Sequence, residues 1–191
     1  ALVKFVGIAW EDVGGVRVMT FSPDGNQLFV AGTRPKNGGN VQGVPLVLVF
    51  DFKSGKPAGQ GKSAGRIEPA SRIEMGKTSD VYVRDLVFHA DGFVIAVTSG
   101  NPGTGQLLFR RLDDDDAFYS TNKLSNCHAV SLRPGDRRFA VTTTNRGSNG
   151  NGRRLNKEGE YAGNTSPIHV MEFPASETTG PAEDGDGKKP G

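Results

Sequence analysis

The side chains with the clearest chemical potential in this chain are cations in its long loops. Guanidinium and ammonium groups attract acidic protein surfaces and polyanions. The same loops carry almost no aromatic residues for base stacking, so direct nucleic-acid binding is not expected. The alternative is an ordinary solvated surface on a chain whose net charge is only +2. The candidate binding residues on this basic face are Arg34, Lys36, Lys62, Arg66, Arg72, Arg146, Arg153 and Arg154.

Two acidic segments and three histidines are the candidate metal ligands. Residues 113–116 are four consecutive aspartates, which lack the spacing of a calcium-binding loop. Residues 184–187 alternate Asp and Gly in a polar tail and lack the glutamate that completes such a loop. His89, His128 and His169 fall at different levels of the predicted strands, so convergence on zinc is not expected. We therefore predict no metal and no cofactor.

The sequence offers little for covalent or phosphate chemistry. Cys127 is the only cysteine, so no internal disulfide can form, and we expect it to be a small buried hydrophobe. No glycine-rich phosphate loop precedes a helix, and the Gly/Asn run at residues 147–152 is typical of a hairpin loop. No convergent acid and base set is evident, so an enzyme is the less favoured reading.

The elements that must position these loops are β-strands. Val16, Val18 and Thr20 alternate with Arg17 and Met19, which is the period of a strand. Helical periodicity is almost absent, and 27 glycines and 11 prolines indicate many turns. An all-β fold follows.

A strand that runs into a tight turn occurs three times in the sequence. The anchor residues Phe21, Phe88 and Leu132 are 67 and 44 residues apart. The second spacing is that of a propeller blade, about 40–45 residues, and the first requires an insertion. The residues that carry this pattern are Phe21, Pro23, Asp24 and Gly25, then Phe88, Asp91 and Gly92, then Leu132 and Pro134.

Two of these pieces resemble the WD-repeat β-propeller family and its bacterial relatives. One is the turn at residues 21–25. The other is residues 47–56, where Phe50 and Asp51 occupy the place of the family's Trp-Asp pair. Residues 171–173 and 109–110 are weaker echoes, and no literal Trp-Asp pair occurs.

The resemblance implies a β-propeller-like array of four-stranded antiparallel blades. The expected blades are about 11–56, 80–112 and 126–173, with 57–79 an insertion, 1–10 a candidate strand of a preceding blade, and 174–191 a polar flexible tail. Propellers have about 4–8 blades, so three form an incomplete ring. We expect another chain or a further segment to complete it.

Loop lengths predict which face of this array binds. In a four-stranded blade, the loops between the second and third strands open on the same face as the connections between blades. Residues 33–43, 100–105 and 145–166 are assigned to the first class, and 55–80 and 113–126 to the second. The short turns at residues 23–25 and 91–92 would form a plain opposite face.

The expected function is a non-catalytic protein–protein interaction or scaffold module, which binds through the long-loop face or an open blade edge. Its partner would be a protein or other subunits, and an acidic surface on that partner would be compatible with the basic loops. A structural subunit of a large assembly is one alternative, and an enzyme with its site at the mouth of a propeller channel is another. No apolar run reaches the roughly 18 residues of a membrane span. A soluble chain in the cytoplasm and an exported one both remain open.

Overall fold

The computed structural model describes residues 14–35, 43–51, 69–77, 80–100, 104–124, 126–135, 137–143, 157–158 and 166–173. Within these ranges the chain forms eleven strands and no helix, which confirms the all-β prediction. The strands are β1 (Gly14–Phe21), β2 (Gln27–Pro35), β3 (Gly43–Asp51), β4 (Ser71–Glu74), β5 (Tyr82–His89), β6 (Phe93–Ser99), β7 (Leu107–Arg111), β8 (Tyr119–Thr121), β9 (Cys127–Leu132), β10 (Arg138–Thr143) and β11 (Ile168–Glu172).

The strands form three antiparallel sheets in chain order. The first sheet has the order β1-β2-β3-β4 and the second β5-β6-β7-β8, while the third has three described strands in the order β9-β10-β11. Each strand therefore pairs with its neighbour in sequence. None of the sheets closes on itself in the described part of the chain.

Each sheet begins with a strand that ends in a tight turn. Gly25, Gly92 and Gly135 occupy these turns with φ values of 71°, 80° and 68°, a region that L side chains rarely adopt. In the first turn, the Ser22 hydroxyl donates to the Asp24 carboxylate at 2.5 Å. After the three turns, β2, β6 and β10 return antiparallel along β1, β5 and β9.

Strand alternation divides the apolar side chains between two interior layers. Phe29 and Val47 from the first sheet meet Val83 and Val94 from the second. The neighbouring residue, Ile95, points the other way and joins a second cluster with the third sheet. The middle sheet is thus buried on both faces, and each large apolar side chain contributes about 1.5–3 kcal/mol on burial. The second cluster takes Phe93, Ile95, Val97, Leu107, Phe109, Cys127, Val130, Phe139 and Val141.

The face of the first sheet that points away from the second is also apolar. Leu28, Leu46, Leu48 and Phe50 form a third buried cluster there. Phe21 pairs with Leu28, and cross-strand partners share a face. This outer face therefore extends onto β1, where the side chains are exposed.

The sequence prediction missed two short strands, β4 and β8. The first lies inside residues 57–79, which were predicted to be an insertion, and the second lies inside a predicted connection. Ile73 is the only buried residue of β4, and β8 has three residues, so neither shows a detectable alternation. In both four-stranded sheets, the fourth strand returns along the third.

The missed strands change where two long segments leave the sheets. Strand β3 ends at Asp51, opposite Gln27, which is the end that carries the turn around Gly25. Strand β7 ends at Arg111, opposite Phe93, beside the turn around Gly92. The segments that follow β3 and β7 therefore leave from the turn end, and the prediction that this end is plain is wrong.

Several predicted features lie outside the described residues. They are the candidate strand at 1–10, most of the predicted insertion, the Gly/Asn run at 147–152 and the tail at 174–191. The predicted binding residues outside the described ranges are Lys36, Lys62, Arg66, Arg146, Arg153 and Arg154.

Candidate functional site

Two features of the described residues stand out as candidate sites. One is the outer edge of the third sheet, and the other is a group of basic side chains on β1, β5 and β9, the first strand of each sheet. Strand β11 is the outermost strand of the third sheet and pairs only with β10 in the described part of the chain. The other two sheets carry a fourth strand at the corresponding place. Among the described residues, the edge of β11 that faces away from β10 has no paired strand.

The hydrogen bonds beside β11 show which backbone groups face this edge. Thr143 N donates to Pro167 O at 3.1 Å, and Phe173 N donates to Arg137 O at 2.9 Å. Antiparallel pairing alternates along a strand, so the amides of Ile168, Val170 and Glu172 point away from β10. Three alternate backbone amides of β11 thus point toward the side away from β10.

The outer face of the third sheet is exposed and partly apolar. Ile168 and Val170 are 67 % and 69 % exposed, which is high for aliphatic side chains. Their partners on β10 are Thr142 and Ala140. The apolar row on β11 therefore adjoins small side chains that leave the sheet face flat.

Strand β11 is anchored firmly at its C-terminal end. The Phe173 ring stacks on Phe139 at 4.7 Å between centroids and meets His89 at 4.7 Å. Arg137 Nη2 donates to Phe173 O at 2.7 Å. The strand is therefore held in place by the second and third sheets.

The predicted basic face is only partly represented in the described residues. Arg34 forms an ion pair with Glu74, and the two side chains are 41 % and 50 % exposed. Arg72 is exposed on β4. Arg34 lies near the end of β2 that is far from Asp51. The segment that carries Lys62 and Arg66 leaves the sheet at the other end, after Asp51. By register, Arg34 (opposite Val44) and Arg72 (opposite Leu48) lie on the same face of the first sheet, and the basic face as a whole stays a prediction.

Each first strand contains an irregularity near its start. In β5 the pairing passes from Val83 to Asp85, so Arg84 is the extra residue of a bulge. In β9 it passes from Ala129 to Cys127, so His128 is extra. In β1 the residues between Gly14 and Val18, which include Arg17, are irregular. Bulges often redirect a side chain near functional sites.

Two of these residues converge on one aromatic ring. Arg17 Cζ lies 5.0 Å and Arg84 Cζ 5.1 Å from the centroid of the Tyr82 ring. The ring lies against Gly15, where an added Cβ would come within 3.0 Å of Tyr82 Cε1. Arg84 Nε also donates to Ser99 Oγ at 2.8 Å. Tyr82 thus joins cations from two sheets.

The electrostatic environment also links Arg84 to a histidine of the third sheet. Burial lowers the pKa of Arg84, and the charge of Arg17 lowers it further. Burial and the charge of Arg84 likewise lower the pKa of His128, which favours its neutral form. His128 Nε2 is buried without a hydrogen-bond partner in the described structure. We call Arg17, Tyr82, Arg84 and His128 the first-strand row.

The sequence analysis did not select the first-strand row, because these residues lie in strands rather than long loops. A signal was nevertheless present. Arg17, Arg84 and His128 each stand four residues before an anchor residue, namely Phe21, Phe88 and Leu132.

A buried carboxylate joins two segments of the second sheet's border, residues 77–80 and 105–106. Asp80 is 5 % exposed and accepts hydrogen bonds from Lys77 N, Gly105 N and Gln106 Nε2, each at 3.0 Å. Its charge and, more strongly, burial raise the pKa of Cys127 to about 12. The prediction that Cys127 is a buried hydrophobe is consistent with its full burial.

A polar cleft of about 530 Å³ lies between the outer strands of the first and second sheets. Its lining includes Glu74 and Asp116 as well as Lys77 and Arg110. Charges of both signs therefore line this cleft.

The register separates two residues that look alike in sequence. Phe50 pairs with Leu28 and points to the outer face of the first sheet. Phe109 pairs with Ile95 and points toward the third sheet. The predicted echo at residues 109–110 is therefore displaced by one position, and Arg110, opposite Val94, occupies the register position of Phe50.

The described residues contain no group of three His, Cys, Asp or Glu side chains that could hold a metal ion. His89 lies at a turn, and His169 Nε2 is 3.1 Å from Thr143 Oγ1. In the same ranges, no helix is long and apolar enough to cross a membrane.

The sequence matches no family model, and no curated protein shows significant similarity to it.

Proposed function

We propose that this chain is a non-catalytic protein-interaction module that receives a further β-strand at the outer edge of its third sheet. The observation that carries this proposal is the pairing state of β11, whose outward amides at Ile168, Val170 and Glu172 adjoin two highly exposed aliphatic side chains. An extended peptide that adds to a sheet edge gains main-chain hydrogen bonds and uses alternate side chains for specificity.

The other outer strands show what a protected edge looks like in this fold. Strand β4 has four residues, and Arg72 and Glu74 on it are charged and exposed. Strand β8 has three residues. Short strands and charges are common means of blocking edge pairing. Strand β11 has five residues and a single charge, at Glu172, so it lacks this protection.

The β-propeller-like arrangement predicted from the sequence gives the added strand a place. Three successive sheets, each beginning with a strand and a glycine turn, agree with successive blades. Within the described residues, the third sheet then has three of the four strands of its blade. The partner is an extended segment of another polypeptide chain, and its docking begins the completion of the ring.

The test compares substitutions on β11 with a substitution at a matched exposed position on the first sheet. A chain with Ile168→Lys and Val170→Lys places charges on the proposed docking face. Met19 is equally exposed, at 69 %, on the outer side of the first sheet, so Met19→Lys is the control. We expect the β11 variant to fail to reconstitute the assembly isolated from the native source, while the control reconstitutes it.

Amide hydrogen exchange provides the second readout. In the isolated chain, the amides of His169 and Met171 should be protected and those of Ile168, Val170 and Glu172 should exchange freely. The latter three should become protected in the assembly. Protection of all five in the isolated chain, or equal reconstitution by both variants, would refute the proposal.

A further inference from the structure

We propose that Arg17 and Arg84 form a binding site for a small molecule that carries two or more phosphate or carboxylate groups. The site lies on the first-strand row, on different strands from the proposed docking edge. It therefore stands independently of the interaction function.

The two guanidinium groups are placed close together by neighbouring sheets. Both stand over the Tyr82 ring, so they lie within about 10 Å of each other, the sum of two cation–ring distances. A small dianion can reach both. Tyr82 is fixed against Gly15, and Arg84 is fixed by its bond to Ser99, so these supports hold the cations before a ligand arrives.

Neither cation is neutralised within the described part of the chain. The only hydrogen bond of either guanidinium there is from Arg84 Nε to Ser99 Oγ. A guanidinium carries five donors, so both Nη groups of Arg84 and the whole head of Arg17 remain for an acceptor. Such a fork matches phosphate and carboxylate geometry.

The neighbouring acidic groups are occupied elsewhere. Asp85 follows Arg84 in β5, but its two oxygens accept from Leu86 N and Val130 N, both at 2.9 Å. Asp80 is buried and accepts three hydrogen bonds of its own. Within the described residues, Arg17, which is exposed, and Arg84, which is partly buried, thus lie close together with no hydrogen bond or ion pair to a carboxylate, and a bound anion would remove their repulsion.

The position of the cations within the fold supports a built site. Arg17 and Arg84 occupy irregular positions of two first strands, each four residues before the anchor phenylalanine. His128 occupies the corresponding bulge in the third sheet, and its Nε2 is buried without a partner. Basic side chains thus recur at this position in the first strands of all three sheets.

The test is calorimetric titration of the full chain with pyrophosphate and with citrate, against chloride at matched ionic strength. We expect one equivalent of pyrophosphate or citrate to bind. Tighter binding of pyrophosphate assigns phosphate groups to the ligand, and tighter binding of citrate assigns carboxylates. Loss of charge-assisted hydrogen bonds should weaken binding by about tenfold or more in each of Arg17→Gln and Arg84→Gln.

Lys123→Gln is the control, because it removes the same charge from an exposed position just after β8, the strand at the opposite edge of the second sheet from β5. It should bind as the parent chain does. Arg17 is exposed, so its substitution keeps the fold testable even if Arg84→Gln lowers stability. The proposal fails if neither anion binds at millimolar concentration, or if both arginine variants bind as tightly as the parent and the control.

Discussion

The carboxylate of Asp85 accepts a hydrogen bond from the backbone amide of Val130 at 2.9 Å. This contact joins the first strand of the second sheet to the first strand of the third. The other carboxylate oxygen accepts from Leu86 N at 2.9 Å, just after the bulge at Arg84. One side chain therefore fixes both the bulge and the approach of the next sheet.

Replacement of Asp85 should loosen the junction between these two sheets. We expect Asp85→Ala to lower the free energy of unfolding by about 1–3 kcal/mol, because two backbone donors lose a charged acceptor. Urea denaturation measures this change. Asp91→Ala, which removes an exposed turn carboxylate, is the control and should have a smaller effect. Amide exchange at Val130 should accelerate in the first variant, and unchanged exchange there would contradict the assignment.

Substitution of Asp80 should lower the free energy of unfolding more than substitution of Asp85. Its removal leaves one buried donor, Gly105 N, and two part-buried donors, Lys77 N and Gln106 Nε2, without their acceptor, and an orphaned buried donor costs about 1–3 kcal/mol. We expect Asp80→Ala to lower the unfolding free energy by about 3 kcal/mol or more, measured by thermal and urea unfolding. Asp80→Asn keeps the shape and two acceptor sites, so it should cost less. Equal costs would show that the acceptor sites kept by Asn contribute nothing, which would contradict the role assigned to the hydrogen bonds.

Cys127 should be unreactive in the native chain. Its Sγ donates to Leu124 O at 3.0 Å, and burial together with the Asp80 charge raises the thiol pKa from 9.0 to about 12. The thiolate is the reactive form, so alkylation at pH 8 should be slow until the chain unfolds. The folded chain holds this proton at pH values where the unfolded chain releases it, so stability should fall as the pH rises from about 9 toward 12. Rapid labelling of native protein by iodoacetamide would contradict burial, and Cys127→Ala should remove this part of the alkaline loss.

Asp24 should remain ionised well into the acid range. Hydrogen bonds from Ser22 and Asn26 lower its pKa from 3.8 to about 2. A lowered carboxyl pKa gives stability that is present above pH 3.8 and lost as the pH falls toward 2. Carboxyl NMR titration measures the pKa directly. Ser22→Ala should raise it toward the ordinary value, and an unchanged pKa in that variant would mean that the Ser22 bond is not its main cause.

The nine longer strands could be predicted from the sequence because alternation and glycine turns are local signals. The bounds differ at the ends: β1 extends from Gly14 to Phe21, beyond the alternating residues 16–20 that predicted it. The short strands β4 and β8 could not be found, since each is fixed by pairing with a long neighbour rather than by its own pattern. That omission also misplaced the loops after β3 and β7.

The candidate site was less predictable than the fold. The open edge of β11 depends on what lies beside it, which is a tertiary property. The convergence of Arg17 and Arg84 on Tyr82 depends on two bulges and on how two sheets pack. A bulge changes the direction of a side chain by the insertion of one residue, and composition does not reveal it.

The two outermost faces of the three-sheet stack are different surfaces. One carries Met19 and Phe21 on the first sheet, and the other carries Ile168 and Val170 on the third. Copies that joined through them would meet head to tail rather than about a twofold axis. Such a contact has no built-in end point: the rotation between copies decides whether they close into a ring or grow into a filament. Solubility at high concentration thus depends on what occupies these two faces.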